Sequence, residues 1–282
     1  MRSEREMLDL IIKTAEADEC IRAVSMEGSR ANPSAPKDQY QDYDVNYYVS
    51  YMAPFYDNPA WIIGAFGEPL IMQTPESMSN PAGGGHFNYM MIFADGCRLD
   101  LTFTPHKYAS NGEPMVALLD KDDGKGFLPA LPPPNDAVYH IRPPSPLDYC
   151  SCCNEFWWCL NNVAKGIARD ELPYVMYMLN EVVREELHRM IVWHIGVRRG
   201  FGVSAGKNGK YYKRLLPPEI YAQYAATYPD SAYDSIWKSI FIMCDLFHFL
   251  AIETADHFGY KYNQNEEHGM REYIGMVKGH KI

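Results

Sequence analysis

The sequence predicts an α+β protein: an N-terminal domain with a mixed β-sheet and flanking helices, residues 1–146, then a C-terminal helical-bundle domain, residues 147–282. Three observations predict it. Before residue 129 the apolar residues alternate in short runs at strand spacing. Residues 129–146, PALPPPNDAVYHIRPPSP, hold seven of the 20 prolines, a density that excludes helix and favours an extended connector. Beyond it the apolar residues recur at helical spacing.

The elements follow in order. Ser3 and Glu6 form a capping-box pattern ahead of Met7, Leu8, Ile11, Ile12 and Ala15, which share one helical face. IRAVSMEG reads as a strand ending at Gly28. DYDVNYYVS reads as a second, with Val45, Tyr47 and Val49 on one face and Asp42, Asp44 and Asn46 on the other. FNYMMIFADGCRLDLTF reads as a hairpin turning at Asp95-Gly96, a favoured turn pair. Its second strand sends Leu99, Leu101 and Phe103 one way and Arg98, Asp100 and Thr102 the other. After the connector, helices are expected over 148–168, 174–195 and 231–258, enough for a small bundle. A cleft between two domains is a common ligand site.

Composition narrows the function. With 282 residues the chain can bury two cores, and 47% apolar with 22% charged residues is ordinary for a folded protein. No apolar run is expected to span a bilayer, and MRSEREMLDLIIKTAEADE mixes charged and apolar residues too closely for a signal peptide. Seven cysteines, an odd number without paired spacing, predict reduced thiols rather than a disulfide framework or a zinc site. The expectation is a cytoplasmic protein, no membrane partner, and an oligomeric state left open. A net charge of −10 argues against nucleic acid and favours cationic small molecules. One stretch runs the other way: Arg198, Arg199, Lys207, Lys210, Lys213 and Arg214 stand together without an acid.

The chemistry is carried by EGSRANPSAPKDQYQDYDVNYYV, residues 27–49. A strand delivers the chain to Gly28-Ser29, where glycine permits close backbone approach to a ligand. Arg30 to Asn32 could open a short helix whose free N–H groups would face a phosphate. Asp42 and Asp44 project from one strand face, and two carboxylates held so close repel unless a cation lies between them. Asp100, set between Leu99 and Leu101, adds a third. Three such groups suit Mg²⁺ and an in-line displacement at phosphorus. A lone Asp-x-Asp is more often a solvated strand edge; the ordered combination is what is specific.

Gly28-Ser29, Asp42, Asp44 and Asp100 resemble the pattern of the nucleotidyltransferase superfamily typified by DNA polymerase β. MRSEREMLDLI, EGSRAN, QDYDVNYYVS, LDLTF, LLDKD, YCSCCNEFWW, KGIARDEL, RMIVWHIGV and GFGVSAGKNGKYYK narrow the resemblance to the aminoglycoside 6-adenylyltransferases. The resemblance implies ATP as donor, Mg²⁺, and Asp42, Asp44 and Asp100 as the metal and catalytic centre. It implies that Gly28, Ser29 and Arg30 hold the triphosphate and that the acceptor is the 6-hydroxyl of streptomycin.

Other residues carry lesser expectations. Lys207 and Lys210, in a glycine-containing loop without Walker spacing, would meet the β- and γ-phosphates; the bland alternative is a solvated basic loop. Lys165 lies one turn from Arg169, where phosphate contact and surface charge are equally good readings. Glu155 could receive an acceptor guanidinium with Trp157 or Trp158 stacking alongside, although aromatic residues at helical spacing are more often core. The nine histidines show no metal or triad spacing.

Overall fold

The computed structural model describes residues 1–81 and 83–280, and the chain divides into two compact units, Met1–Val138 and Tyr139–Ile282. In the first, α1 (Glu4–Ala17) starts at the expected capping box: Ser3 Oγ accepts from Glu6 N, and the Glu6 carboxylate accepts from Ser3 N at 2.7 Å. There follow β1 (Ile21–Glu27), the single turn α2 (Gly28–Ala31), β2 (Tyr43–Val49), α3 (Pro59–Phe66), β3 (Pro69–Gln73), β4 (Phe87–Phe93), β5 (Arg98–Thr104) and β6 (Val116–Asp120). They form one mixed sheet in the order β3-β4-β5-β2-β1-β6, parallel only between β2 and β5. The fold is α+β, as predicted. The hairpin turn is where Asp95-Gly96 puts it, with Gly96 at φ +80°.

Period-two alternation divides the sheet into two chemically distinct faces. Val24, Met26, Val45, Tyr47, Tyr89, Leu99, Leu101 and Phe103 are buried, together with Met7, Ile11 and Ala15 of α1 and Ile62 and Phe66 of α3. Tyr47 ties helix to sheet by donating from its hydroxyl to Ile11 O at 2.6 Å. Phe103 is central: it stacks on Phe55 (centroids 4.6 Å apart) and meets Tyr47, Trp61 and Tyr89 edge-on. The other face carries Ser25, Glu27, Asp44, Asn46, Asp100 and Thr102, placed opposite one another by the register of β1, β2 and β5. The helix α3 and the edge strand β3 escape the sequence reading. β3 leaves Leu70 and Ile71 exposed, so it lacks a buried alternation to read.

The second unit is helical. α4 (Pro146–Ala168) begins two residues before the predicted start, because Ser145 and Asp148 form a second capping box with proline at N1. The helix expected over 174–195 is three segments: α5 (Leu172–Tyr177), a π-helical stretch Met178–Val183, and α6 (Arg184–Arg199). The widened turn leads into Arg184, which is 3% exposed. Its guanidinium donates to Asn180 Oδ1, Thr227 Oγ1 and Thr227 O. α7 (Tyr212–Leu215), α8 (Pro218–Ala226), α9 (Tyr233–Phe258) and α10 (Gln264–Lys278) complete it. Contrary to expectation, α9 is long and apolar enough to cross a bilayer by length and composition. Ile236, Ile240, Met243, Phe247 and Leu250 bury one face of it in the helical core, where Phe247 stacks on Phe156 at 3.7 Å. All seven cysteines are free thiols.

Removing the Phe103 ring would leave a cavity that four aromatic neighbours cannot close. Phe103→Ala is expected to destabilise the N-terminal unit by about 3–5 kcal/mol, and Phe103→Leu by much less. Native-state hydrogen exchange of the β2 and β5 amides measures both.

Candidate active site

The register of three adjacent strands builds a row of acids. Glu27 of β1 lies opposite Asp44 of β2, and Asp44 lies opposite Asp100 of β5. Opposed residues share a face, and Asp42, two residues before Asp44, adds to the same row just ahead of β2. Asp42, Asp44 and Asp100 are therefore brought together. Glu27 is a fourth acid that sequence reading passes over, although counting back by two from the strand end would have put it with Ser25 on this face.

Gly28 makes room for the row. Its φ is +68°, and a Cβ there would run into the Asp44 carboxylate, so glycine is required twice over. Ser29, half-buried, offers its carbonyl to Gln41 Nε2 at 3.1 Å.

Crowding shows in the acid equilibria. Burial, then the charges of Asp100 and Asp42, push Asp44 up to about 6. Burial also raises Asp42, partly offset by Arg98. Burial, Glu113 and Asp44 raise Glu27, against a 2.8 Å hydrogen bond from Asn46 Nδ2. Arg98 is the cation within the row. Its Nη2 and Nε grip Asp100 at 2.7 and 3.0 Å, and its Nη1 lies 3.3 Å from Asp42 Oδ2. Arg98 was legible from sequence only as a face neighbour of Asp100.

Does this set fit a divalent cation? The donors are hard carboxylate oxygens in mutual repulsion, the chemistry Mg²⁺ takes. Yet among the described residues no three acid or imidazole side chains are gathered as a ready cation cage. In this arrangement a guanidinium bridges Asp42 and Asp100. The residues fit a cation, and an organic one serves in this conformation.

Arg30 is held by its own neighbours. Its Nε and Nη2 donate to Asp42 O and Gln41 O at 3.0 and 2.8 Å, Nη1 lies 3.4 Å from Glu4, and the group stacks 3.7 Å over Tyr43. These contacts engage it in fixing the backbone ahead of β2. A cavity of about 500 Å³ opens beside it, lined by Glu4, Arg30, Asp38, Tyr40, Asp42 and Arg98 among others.

The remaining candidates lie in the helical unit. Lys207 opens a compact 3₁₀ turn, Lys207–Gly209, between positive-φ Gly206 and Gly209; Tyr211 N donates back to Ala205 O at 3.1 Å. Lys207 and Lys210 are exposed, Lys210 sits 5.3 Å over Tyr211, and neither pairs with an acid among the described residues. Lys165 is half-buried in the last turn of α4. Glu155 is exposed and accepts from Cys159 Sγ at 3.1 Å. Trp157 is corrected: it is 1% exposed, packed against Phe156 and Phe247, with Nε1 donating to Tyr262 Oη at 2.9 Å. No face of that ring is open. Trp158, 64% exposed and one turn from Glu155, is the open indole.

Comparison with known proteins supplies the class. Three curated relatives are each named aminoglycoside 6-adenylyltransferase, which makes the class nucleotidyltransferase. The Bacillus subtilis protein is 39% identical over 280 residues, 97% of each chain. The Campylobacter jejuni protein is 37% identical, covering 95% of this chain and 93% of its own. The Staphylococcus aureus protein is 33% identical, covering 97% and 98%. A solved structure of the Bacillus subtilis aminoglycoside 6-adenyltransferase aligns over 99% of both chains at 34% identity with a TM-score of 0.49. The family model described as streptomycin adenylyltransferase matches residues 1–277, and the chain belongs to that family.

The raised Asp44 has a signed consequence. A carboxyl raised in the folded state contributes stability below its ordinary value, near 3.8, and loses it as pH rises through about 6. Without metal, Asp44→Asn is therefore expected to melt higher than the parent at pH 8, by about 2–4 °C, with the gap narrowing toward pH 5. Melting curves in chelator-treated buffer at the two pH values check it.

Proposed function

We propose that this enzyme transfers AMP from ATP to a hydroxyl of an aminoglycoside, the 6-hydroxyl of streptomycin's streptidine ring, with loss of pyrophosphate. One observation carries the reading: Asp42, Asp44 and Asp100 stand on adjacent strands beside the Gly28-Ser29 turn, in a chain of this family. The N-terminal sheet domain supplies the reaction centre and the C-terminal helical domain contacts to acceptor and nucleotide. The resulting modified drug would be inactive, which is resistance.

In this reading Asp42, Asp44 and Asp100 hold Mg²⁺, which when bound would neutralise charge on the phosphates. Ser29 and the adjoining backbone at Gly28 receive the triphosphate, while Arg30 fixes the carbonyl of Asp42 and so the approach to β2. The acceptor oxygen attacks the α-phosphorus, the bond to the pyrophosphate oxygen breaks, and the hydroxyl proton passes to a carboxylate of the row. Positioning supplies much of the rate in such transfers. Lys207 and Lys210, exposed and free of acids, contribute contacts to the leaving phosphates, and Lys165 a further one. Glu155, with Trp158 one turn away, takes an acceptor guanidinium by charge and stacking.

Two outcomes are expected. Incubation with ATP, Mg²⁺ and drug should add one AMP to streptomycin and little to kanamycin-type drugs, which carry amines but no guanidinium; mass spectrometry reads the products. Transfer to kanamycin alone would overturn the acceptor and leave the chemistry standing. Lys207→Ala and Lys210→Ala should each raise KM for ATP with the KM for streptomycin nearly unchanged. Unchanged ATP kinetics in both would make the turn a solvated surface.

A further inference from the structure

We propose that Arg98 is a positioning residue that fills the cation seat of the carboxylate row in the metal-free enzyme, and that metal loads by displacing it. The inference rests on the reading of Asp42 and Asp100 as metal ligands. Three observations carry it. The guanidinium joins two of the three aspartates, chelating Asp100 through Nε and Nη2 and approaching Asp42 through Nη1. A planar five-donor fork suits that bridging geometry, which a point charge would not reproduce. Second, all three aspartates lie on one strand face while the guanidinium engages only two of them, Asp42 and Asp100. Third, the side chain is 38% exposed and borders the cavity of about 500 Å³ that Asp38 also lines, where Glu4 already faces Arg30. The guanidinium thus has space and opposite charge to move into when it leaves the aspartates.

Placement in the chain supports the same role. Arg98 and Asp100 alternate on β5 with buried Leu99, so both project to the row. Unpaired, the aspartates would repel across the β2–β5 register; held by Arg98, they keep their orientation until a metal arrives. A resident counter-ion also has a measurable penalty: every metal ion must compete with it, and apparent affinity falls by the fraction of molecules in which the seat is open.

The test is metal binding without nucleotide or turnover. Free Mn²⁺ is followed by its electron paramagnetic resonance signal in titrations of the full chain, Arg98→Gln and Arg98→Lys. Arg98→Gln should bind Mn²⁺ at least about fivefold more tightly than the parent. Arg98→Lys retains the charge but not the fork, and should fall between them. In metal-free buffer Arg98→Gln should melt below the parent, and saturating Mg²⁺ should close most of the gap. Arg98→Gln binding Mn²⁺ equally or more weakly overturns the inference. Arg98→Lys matching the parent while Arg98→Gln tightens also overturns it, since net charge alone would then act. Mn²⁺ binding by none of the three proteins would overturn the metal-ligand reading itself, and the inference with it.

Discussion

Like charge held at close range is the constraint on which the N-terminal unit depends. Asp44 faces Asp100 across a parallel strand pair, Glu27 faces Asp44 across an antiparallel one, and Asp42 precedes them by two residues. Left to solvent such groups would separate; the sheet does not let them. Its apolar face is anchored by α1 and α3 and by the aromatic cluster around Phe103, so the strands cannot slip without exposing that core. The repulsion is then relieved locally. Arg98 supplies charge, Asn46 donates to Glu27, and Gly28 yields the volume a side chain would have taken.

The same period of two explains why a core and an acidic face coexist on seven-residue strands. Each apolar residue that anchors the sheet leaves its neighbour on the other side, and those neighbours are Ser25, Glu27, Asp44, Asn46, Asp100 and Thr102. A one-residue register shift would bury the acids and expose the anchors. Arg30 guards against movement at the entry to β2 by binding the carbonyls of Gln41 and Asp42. Its guanidinium is engaged with backbone in the segment where the helix start and the family resemblance predict a phosphate ligand.

What sequence could reveal follows from what periodicity encodes. Alternation marks which face a strand residue takes, so the pairing of Asp42 with Asp44, the opposed Leu99/Leu101 set and the two-faced sheet were all legible. Caps were legible because Ser3–Glu6 is a local pattern. Partners were not. Nothing in the spacing of Arg30 or Arg98 says whether a guanidinium meets a backbone carbonyl, an aspartate or a ligand. Trp157 and Trp158 differ by one residue, about 100° around the helix, and only packing against Phe156 and Phe247 decides which one the core takes. The π-helical stretch before Arg184 reads as ordinary helix because its i→i+5 hydrogen bonding leaves no local mark in residue type.

The two proposed sets of residues bear differently on stability, and this bears on how each can change. Glu155 and Trp158 stand on the outward side of α4, away from the residues that fill the helical core. Substitutions there remove little buried area and are expected to cost folding little. The carboxylate row is the opposite case. Burial and mutual charge raise Asp44 to about 6, so its ionised form works against the fold at neutral pH, and an amide there would relax that strain. Selection for stability alone would remove such a group; an acid in that position is intelligible if function requires it, the trade expected where active sites set activity against stability. That trade supports the role proposed for the row.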